Sequence, residues 1–150
     1  MGGMKVLAKN RRATFDYDIQ ERLIAGVALT GDEVKSIKTG AASLKGSFIA
    51  LRSGEAYLTN AHITPYAHAA HKENIEPLRN RKLLLHRRQL DDLVARKQSG
   101  LSVVPTAFLQ DRRLVKLEIG VGRGKKQYDK RETIKRRETS RELARQIPRV

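Results

Sequence analysis

The chain of 150 residues carries 31 Lys+Arg against 16 Asp+Glu, a formal net charge of +15, which allows one domain with a short appendage and points to a polyanionic partner. Its lack of cysteine excludes disulfide scaffolds and thiolate metal sites. No apolar run reaches membrane-spanning length, so no membrane partner and a cytoplasmic location are expected.

Residues 1–10 offer little to bury, and Val6 stands where a myristoylation signal beginning at Gly2 needs Ser or Thr. From Phe15, apolar or small residues at Tyr17, Ile19, Leu23, Ala25, Val27 and Leu29 alternate with Asp16, Asp18, Gln20 and Arg22. That period predicts one long strand, bent near Gly26. Thr30 precedes Glu33 at capping-box spacing, predicting a short helix over residues 32–39 that Gly40 stops. Residues 48–51 and 56–63 flank Ser53-Gly54-Glu55 as a hairpin. Residues 64–80, with two prolines and two histidines, read as a long irregular connection.

A short strand is expected over residues 82–86. Leu90, Leu93, Val94 and Lys97 then recur at helical spacing over 87–99, with Arg87/Asp91, Arg88/Asp92 and Asp92/Arg96 as exposed pairs and Gly100 as the stop. Residues 101–109 and 114–121 form two more strands joined at 110–113. Val115, Leu117, Ile119 and Val121 share one face of the second. Gly120, Gly122 and Gly124 are expected to carry that strand out of the sheet as a flexible exit. The tally is about six strands and two or three helices, a mainly β fold with short helices. An OB-like closed antiparallel barrel is the economical way to bury its core and edges.

The expected division is a body over residues 1–128 and a basic tail over 129–150. Ile134, Leu143, Ala144 and Ile147 are too sparse to anchor the tail to a barrel, yet no Gly or Pro interrupts 129–147 and Glu132/Arg136 is a favourable helical pair. Such a segment is expected to be disordered alone and helical against a partner.

The charge is uneven. The net is +2 over residues 1–78, +9 over 79–126 and +4 over 129–150. One basic cluster holds Arg79, Arg81, Lys82, Arg87 and Arg88; a second holds Arg112, Arg113, Lys116, Arg123, Lys125 and Lys126. A solvated strand end explains any single Arg, but this density favours a surface that tracks phosphates. Tyr17 and His86 add groups that stack on unpaired bases, although Tyr17 shares the parity of core positions.

Other chemistries find little support. His62, His68 and His71 have neither Cys nor a carboxylate at ligand spacing, so no zinc site and no cofactor are expected. A metal-dependent nuclease would have to use Asp16 and Asp18 on the polar face of a strand, or Asp91 and Asp92, which already face arginines. There is no P-loop and no G-x-S-x-G turn. The run Gly120-Val121-Gly122-Arg123-Gly124 opens no Rossmann helix.

Four motifs then carry a specific resemblance: Asn10-Arg11-Arg12-Ala13, Thr30-Gly31-Asp32-Glu33-Val34-Lys35-Ser36, Arg81-Lys82-Leu83-Leu84-Leu85-His86 and Gly124-Lys125-Lys126-Gln127-Tyr128-Asp129-Lys130-Arg131. In order and spacing they resemble the small protein B family, the SsrA-binding proteins of bacteria, over residues 10–135. The resemblance implies a non-enzymatic, monomeric RNA-binding protein of trans-translation. Such proteins bind the tRNA-like domain of transfer-messenger RNA and bring it to stalled ribosomes, the body standing in for an anticodon stem. The tail enters the small-subunit decoding centre and the empty mRNA channel. By the same resemblance, Asn10, Tyr17, Lys35, Leu84, His86, Lys116, Arg123, Lys125 and Lys126 match positions at the transfer-messenger RNA surface. Tyr128, Asp129, Lys130, Arg131, Ile134, Lys135 and Arg136 match the ribosome-facing tail. The chain departs from the pattern at Ile24, where many relatives carry Glu, and at Thr139, where many carry an aromatic residue. A general RNA chaperone, indifferent to which RNA it meets, is the rival reading.

Overall fold

The computed structural model describes residues 4–65 and 76–125. In chain order the elements are β1 (Met4–Lys9), α1 (Arg11–Asp16), β2 (Tyr17–Val27), α2 (Gly31–Lys38), β3 (Ala42–Ser43), β4 (Phe48–Arg52), β5 (Glu55–Thr59), β6 (His62–Ile63), β7 (Arg81–Leu84), α3 (Arg87–Gln98), β8 (Ser102–Asp111) and β9 (Leu114–Gly124). Seven strands form one antiparallel sheet in the order β1-β8-β9-β2-β7-β5-β4, and β3 pairs with β6 apart from it.

The mainly β character, with three helices among the described residues, agrees with the sequence. The closed barrel of about six strands expected from the sequence is not found: the described residues form a rolled seven-stranded sheet in which no ladder joins the two end strands. The sheet curls far enough for β4 to approach β8. Strand β8 is paired to β9 along one edge and to β1 over residues 107–111 of the other, while β4 is bonded to β5 and not to β8. The segment read as having little to bury therefore matters: β1 occupies the β8 edge, with Leu7 and Ala8 packed against the core.

Alternation builds the inner face. Leu23, Ala25 and Val27 of β2 stand opposite Ile119, Leu117 and Leu83, and Leu117, Ile119 and Phe108 are fully buried. Each contributes about 1.5–3 kcal/mol by leaving water. Ile37 of α2 and Leu93 of α3 close the core. Thr30 caps α2 through the capping box, its hydroxyl accepting from the Glu33 N–H at 3.2 Å while Glu33 accepts from the Thr30 N–H at 3.0 Å. The β4–β5 turn is the two residues Ser53 and Gly54, both at positive φ, the geometry that matches strand twist in a tight hairpin.

Two expectations are corrected. Phe15 does not begin a strand; it lies in α1, because the Asn10 carboxamide accepts from the Ala13 N–H at 3.2 Å and starts a helical turn. Strand β2 begins at Tyr17 and carries its irregularity between Ile19 and Glu21, not at Gly26. The glycines of β9 are also not an exit. Gly120 and Gly122 are paired on both sides, and a Cβ on Gly122 would fall 2.0 Å from the Asp18 carbonyl oxygen. They let β2 close in on β9 at the irregularity. The tail expectations for residues 129–150, and most of the irregular 64–80 connection, fall outside the described residues.

Candidate nucleic-acid interface

The two basic clusters differ. Arg81 is fully buried and does not track phosphates. Its guanidinium donates to Glu33 Oε2 at 2.6 and 2.8 Å, to the Ala61 carbonyl at 2.7 Å and to the Pro77 carbonyl at 3.1 Å. Arg79 also donates to Glu33 and reaches the Ala28 carbonyl at 3.3 Å. One carboxylate thus caps α2 and pairs with two arginines. Burial pushes the Glu33 carboxyl up, but hydrogen bonds from Arg79, the Thr30 N–H and Arg81 outweigh it and hold the group below its ordinary value. Burial draws Arg81 down, yet a guanidinium stays charged in proteins. The remaining cations of this cluster are exposed, Lys82 beside Glu55 at 3.3 Å and Arg87 beside Asp91 at 3.3 Å.

The second cluster lies on the surface. Arg112, Arg113 and Arg123 are exposed, while Lys116 is half-buried and paired with Asp111 at 3.3 Å. The residues matched by resemblance gather in two places. Leu84 and Lys116 both stand opposite Gly26 of β2, one on each side. Two inter-strand spacings put them roughly 10 Å apart. Leu84 leans over the glycine and remains 56% exposed, large for a leucine and available to a partner. His86 follows two residues later as the exposed residue that leads into α3, its N–H donating to the Gln89 side chain at 3.0 Å. Beside this row Ile24 stands opposite Glu118, which accepts from Arg22 at 2.7 Å and from Thr106 at 2.8 Å.

The second gathering is at the other end of β2, roughly 30 Å along the strand at about 3.3 Å per residue. Tyr17 is half-buried opposite Gly124, and Arg123 projects opposite Asp18. The Lys125 backbone N–H donates to the Asp16 carbonyl at 2.8 Å and its ammonium to the Thr14 carbonyl at 3.3 Å, fastening the end of β9 to α1. Asn10 is buried, with its amide donating to the Pro105 carbonyl at 2.8 Å and its backbone N–H to the Thr106 carbonyl at 2.7 Å. Through these bonds it positions α1. Lys35 is exposed on α2, and the same helix reaches the β8–β9 turn through Lys38, which donates to the Arg113 carbonyl at 3.2 Å. Lys126, Tyr128, Asp129, Lys130, Arg131, Ile134, Lys135 and Arg136 lie outside the described residues, as do His68, His71 and Thr139.

The carboxylates weighed for a nuclease are engaged or separated. Asp16 pairs with Arg12 at 2.9 Å, Asp92 with Arg96 at 3.6 Å, and Asp18 lies across from Arg123. What the surface offers is cations, an exposed leucine, an imidazole and a tyrosine on a stiff sheet, the parts needed to hold a folded RNA by its backbone and a few unpaired bases.

Comparisons with known proteins agree. The family model described as SmpB protein matches residues 7–149. An SsrA-binding protein of Synechococcus sp. (strain JA-2-3B'a(2-13)) is 50% identical over 145 residues, covering 96% of this chain and 94% of the relative. One from Syntrophotalea carbinolica (strain DSM 2380 / NBRC 103641 / GraBd1) is 49% identical over 147 residues, covering 97% of each. A solved structure described as "tmRNA-SmpB: a journey to the center of the bacterial ribosome" superposes with a TM-score of 0.65 at 41% identity, covering 84% of this chain and 92% of that one.

Proposed function

The chain belongs to the SmpB protein family, and from that membership we propose that it binds transfer-messenger RNA through the tRNA-like domain and brings it to stalled ribosomes for trans-translation. The observation that carries this reading is identity of half the residues, over nearly the full length, with proteins named for binding SsrA RNA. The rolled sheet serves as an OB-like body and takes the place of an anticodon stem. The Leu84, His86 and Lys116 row and the Tyr17, Arg123 and Lys125 end are two contact points on one RNA, set apart by the length of β2. Residues 129–150 serve the ribosome, ordering in the decoding centre and mRNA channel. The protein acts as a monomer in the cytoplasm and makes no covalent change in the RNA.

Sequencing the RNA that co-purifies with the protein tests the first half, and transfer-messenger RNA is expected to dominate. Bulk transfer RNA competing equally well would mean a general RNA chaperone instead. Truncation after Tyr128 tests the second half: binding to the tRNA-like domain is expected to survive while tagging on stalled ribosomes is lost. Equal loss of both would refute the division between body and tail.

A further inference from the structure

A cleft of about 450 Å³ opens where the end of β1, α1 and the turn after β3 meet, lined by Lys9, Asn10, Arg11, Arg12, Phe15, Ser43 and Lys45. The volume is within the roughly 300–1,000 Å³ of small-ligand sites. Four of its residues are cations, all exposed, and no carboxylate lines it. The Arg12 guanidinium lies over the Phe15 ring, 5.7 Å from its centroid, and is steadied there by Asp16 at 2.9 Å. Its geometry depends on long-range folding: buried Asn10 fastens the start of α1 to β8, and the Lys45 N–H donates to the Ser43 hydroxyl at 3.2 Å to shape the opposite wall.

We propose that this cleft is a further RNA site, taking one unpaired nucleotide with its base stacked on the Arg12–Phe15 pair and its flanking phosphates on Lys9, Arg11 and Lys45. A planar guanidinium held over an aromatic ring is a platform on which any base can stack. The surrounding cations, unopposed by lining carboxylates, suit the two phosphates that bracket a base. Apart from Asn10, whose polar atoms are already used within the fold, none of these residues belongs to the surface assigned to the tRNA-like domain. The cleft therefore gives the body a second grip, for single-stranded RNA, that does not depend on the first.

Fluorescence anisotropy of the full-length chain with a labelled short oligouridylate, and in parallel with the tRNA-like domain of transfer-messenger RNA, tests the assignment. Phe15→Leu is expected to weaken the oligouridylate on the order of tenfold, the loss of one stacked base. Lys45→Ala, an exposed change that leaves the core untouched, is expected to weaken it several-fold and to lower its salt dependence. Both variants should leave the tRNA-like domain bound nearly as before. Loss with Lys45→Ala but none with Phe15→Leu would show a phosphate site without base stacking and overturn the proposal, as would no loss with either variant. Parallel loss for both RNAs would make the cleft part of the first surface and end its independence. Failure of the wild-type chain to prefer the tRNA-like domain over bulk transfer RNA would instead strike the function proposed for the body, leaving the cleft result to stand.

Discussion

Two stretches rich in arginine and lysine, residues 79–88 and 112–125, look alike in the sequence and differ in the fate of their arginines. The first turns Arg81 inward to a carboxylate 48 residues away, where it is fully buried with four hydrogen bonds. The second keeps Arg112, Arg113 and Arg123 in water. A cation in sequence is therefore not yet a cation on a surface. What decides is whether folding brings an acceptor set to meet it, because an unpaired buried charge is too costly to keep.

Breaking that contrast at its strongest point should have the largest effect. Arg81→Ala leaves Glu33 buried with less compensation and is expected to cost about 3–5 kcal/mol in urea denaturation of the full chain. The surviving folded fraction should bind RNA with an unchanged salt slope. Glu33→Ala should cost a similar amount, and the double variant less than the sum, since the two act on one interaction. Additive losses would mean that the pair is not coupled. The same node predicts a pH dependence. Glu33 sits below its ordinary pKa of 4.5 in the folded chain, so its ionised form favours folding. The contribution is complete above that value and is lost as pH falls from about 4.5 through the lower folded pKa. The urea midpoint should decline over that acid range, and Glu33→Gln should flatten the part of the decline that this residue causes.

A smaller loss is expected where β9 meets β2. A methyl at Gly122 would collide with the Asp18 backbone, and Gly122→Ala should cost about 1–3 kcal/mol by forcing the strands apart. Because Arg123 follows on the same strand and Lys125 just past its end, this variant is expected also to weaken RNA binding, unlike Gly31→Ala, whose added methyl meets nothing within 4 Å. Thr30→Ala comes next, at about 1 kcal/mol for the lost cap of α2, read from the shift in urea midpoint.

Much of this was legible because it is local. The Thr30/Glu33 spacing placed α2, alternation placed β9 and most of β2, and Ser53-Gly54-Glu55 placed a hairpin, whose turn is Ser53 and Gly54 with Glu55 already in β5. The misreadings share one cause, a dependence on distant partners. Strand β1 exists because β8 has an edge to pair, and alternation from Phe15 concealed a helix of six residues that Asn10 starts. Glycines that look like a flexible exit are instead demanded by the close approach of Asp18 and Ile19. Nothing in the neighbourhood of Arg81 reveals Glu33, and nothing near Lys9 reveals Lys45 across the cleft. The exposure of Leu84 and Arg123 was legible for a further reason: residues on a surface owe less to packing, so motif and charge were enough to single them out.

The least costly variant for stability is the most informative for function. Arg123 is exposed opposite Asp18 at the end of β9, so Arg123→Ala should change the urea midpoint by no more than about 0.5 kcal/mol. If its guanidinium meets a phosphate of the tRNA-like domain, the slope of log K against log salt should fall by roughly 0.7–0.9. Arg81→Ala should show the reverse pattern, a large stability loss and an unchanged slope. Measuring both quantities in both variants separates a charge that holds the fold from one that holds RNA. An unchanged slope in Arg123→Ala would show that this guanidinium meets no phosphate of the tRNA-like domain, and any contact at this end of β2 would then have to come from Tyr17 or Lys125.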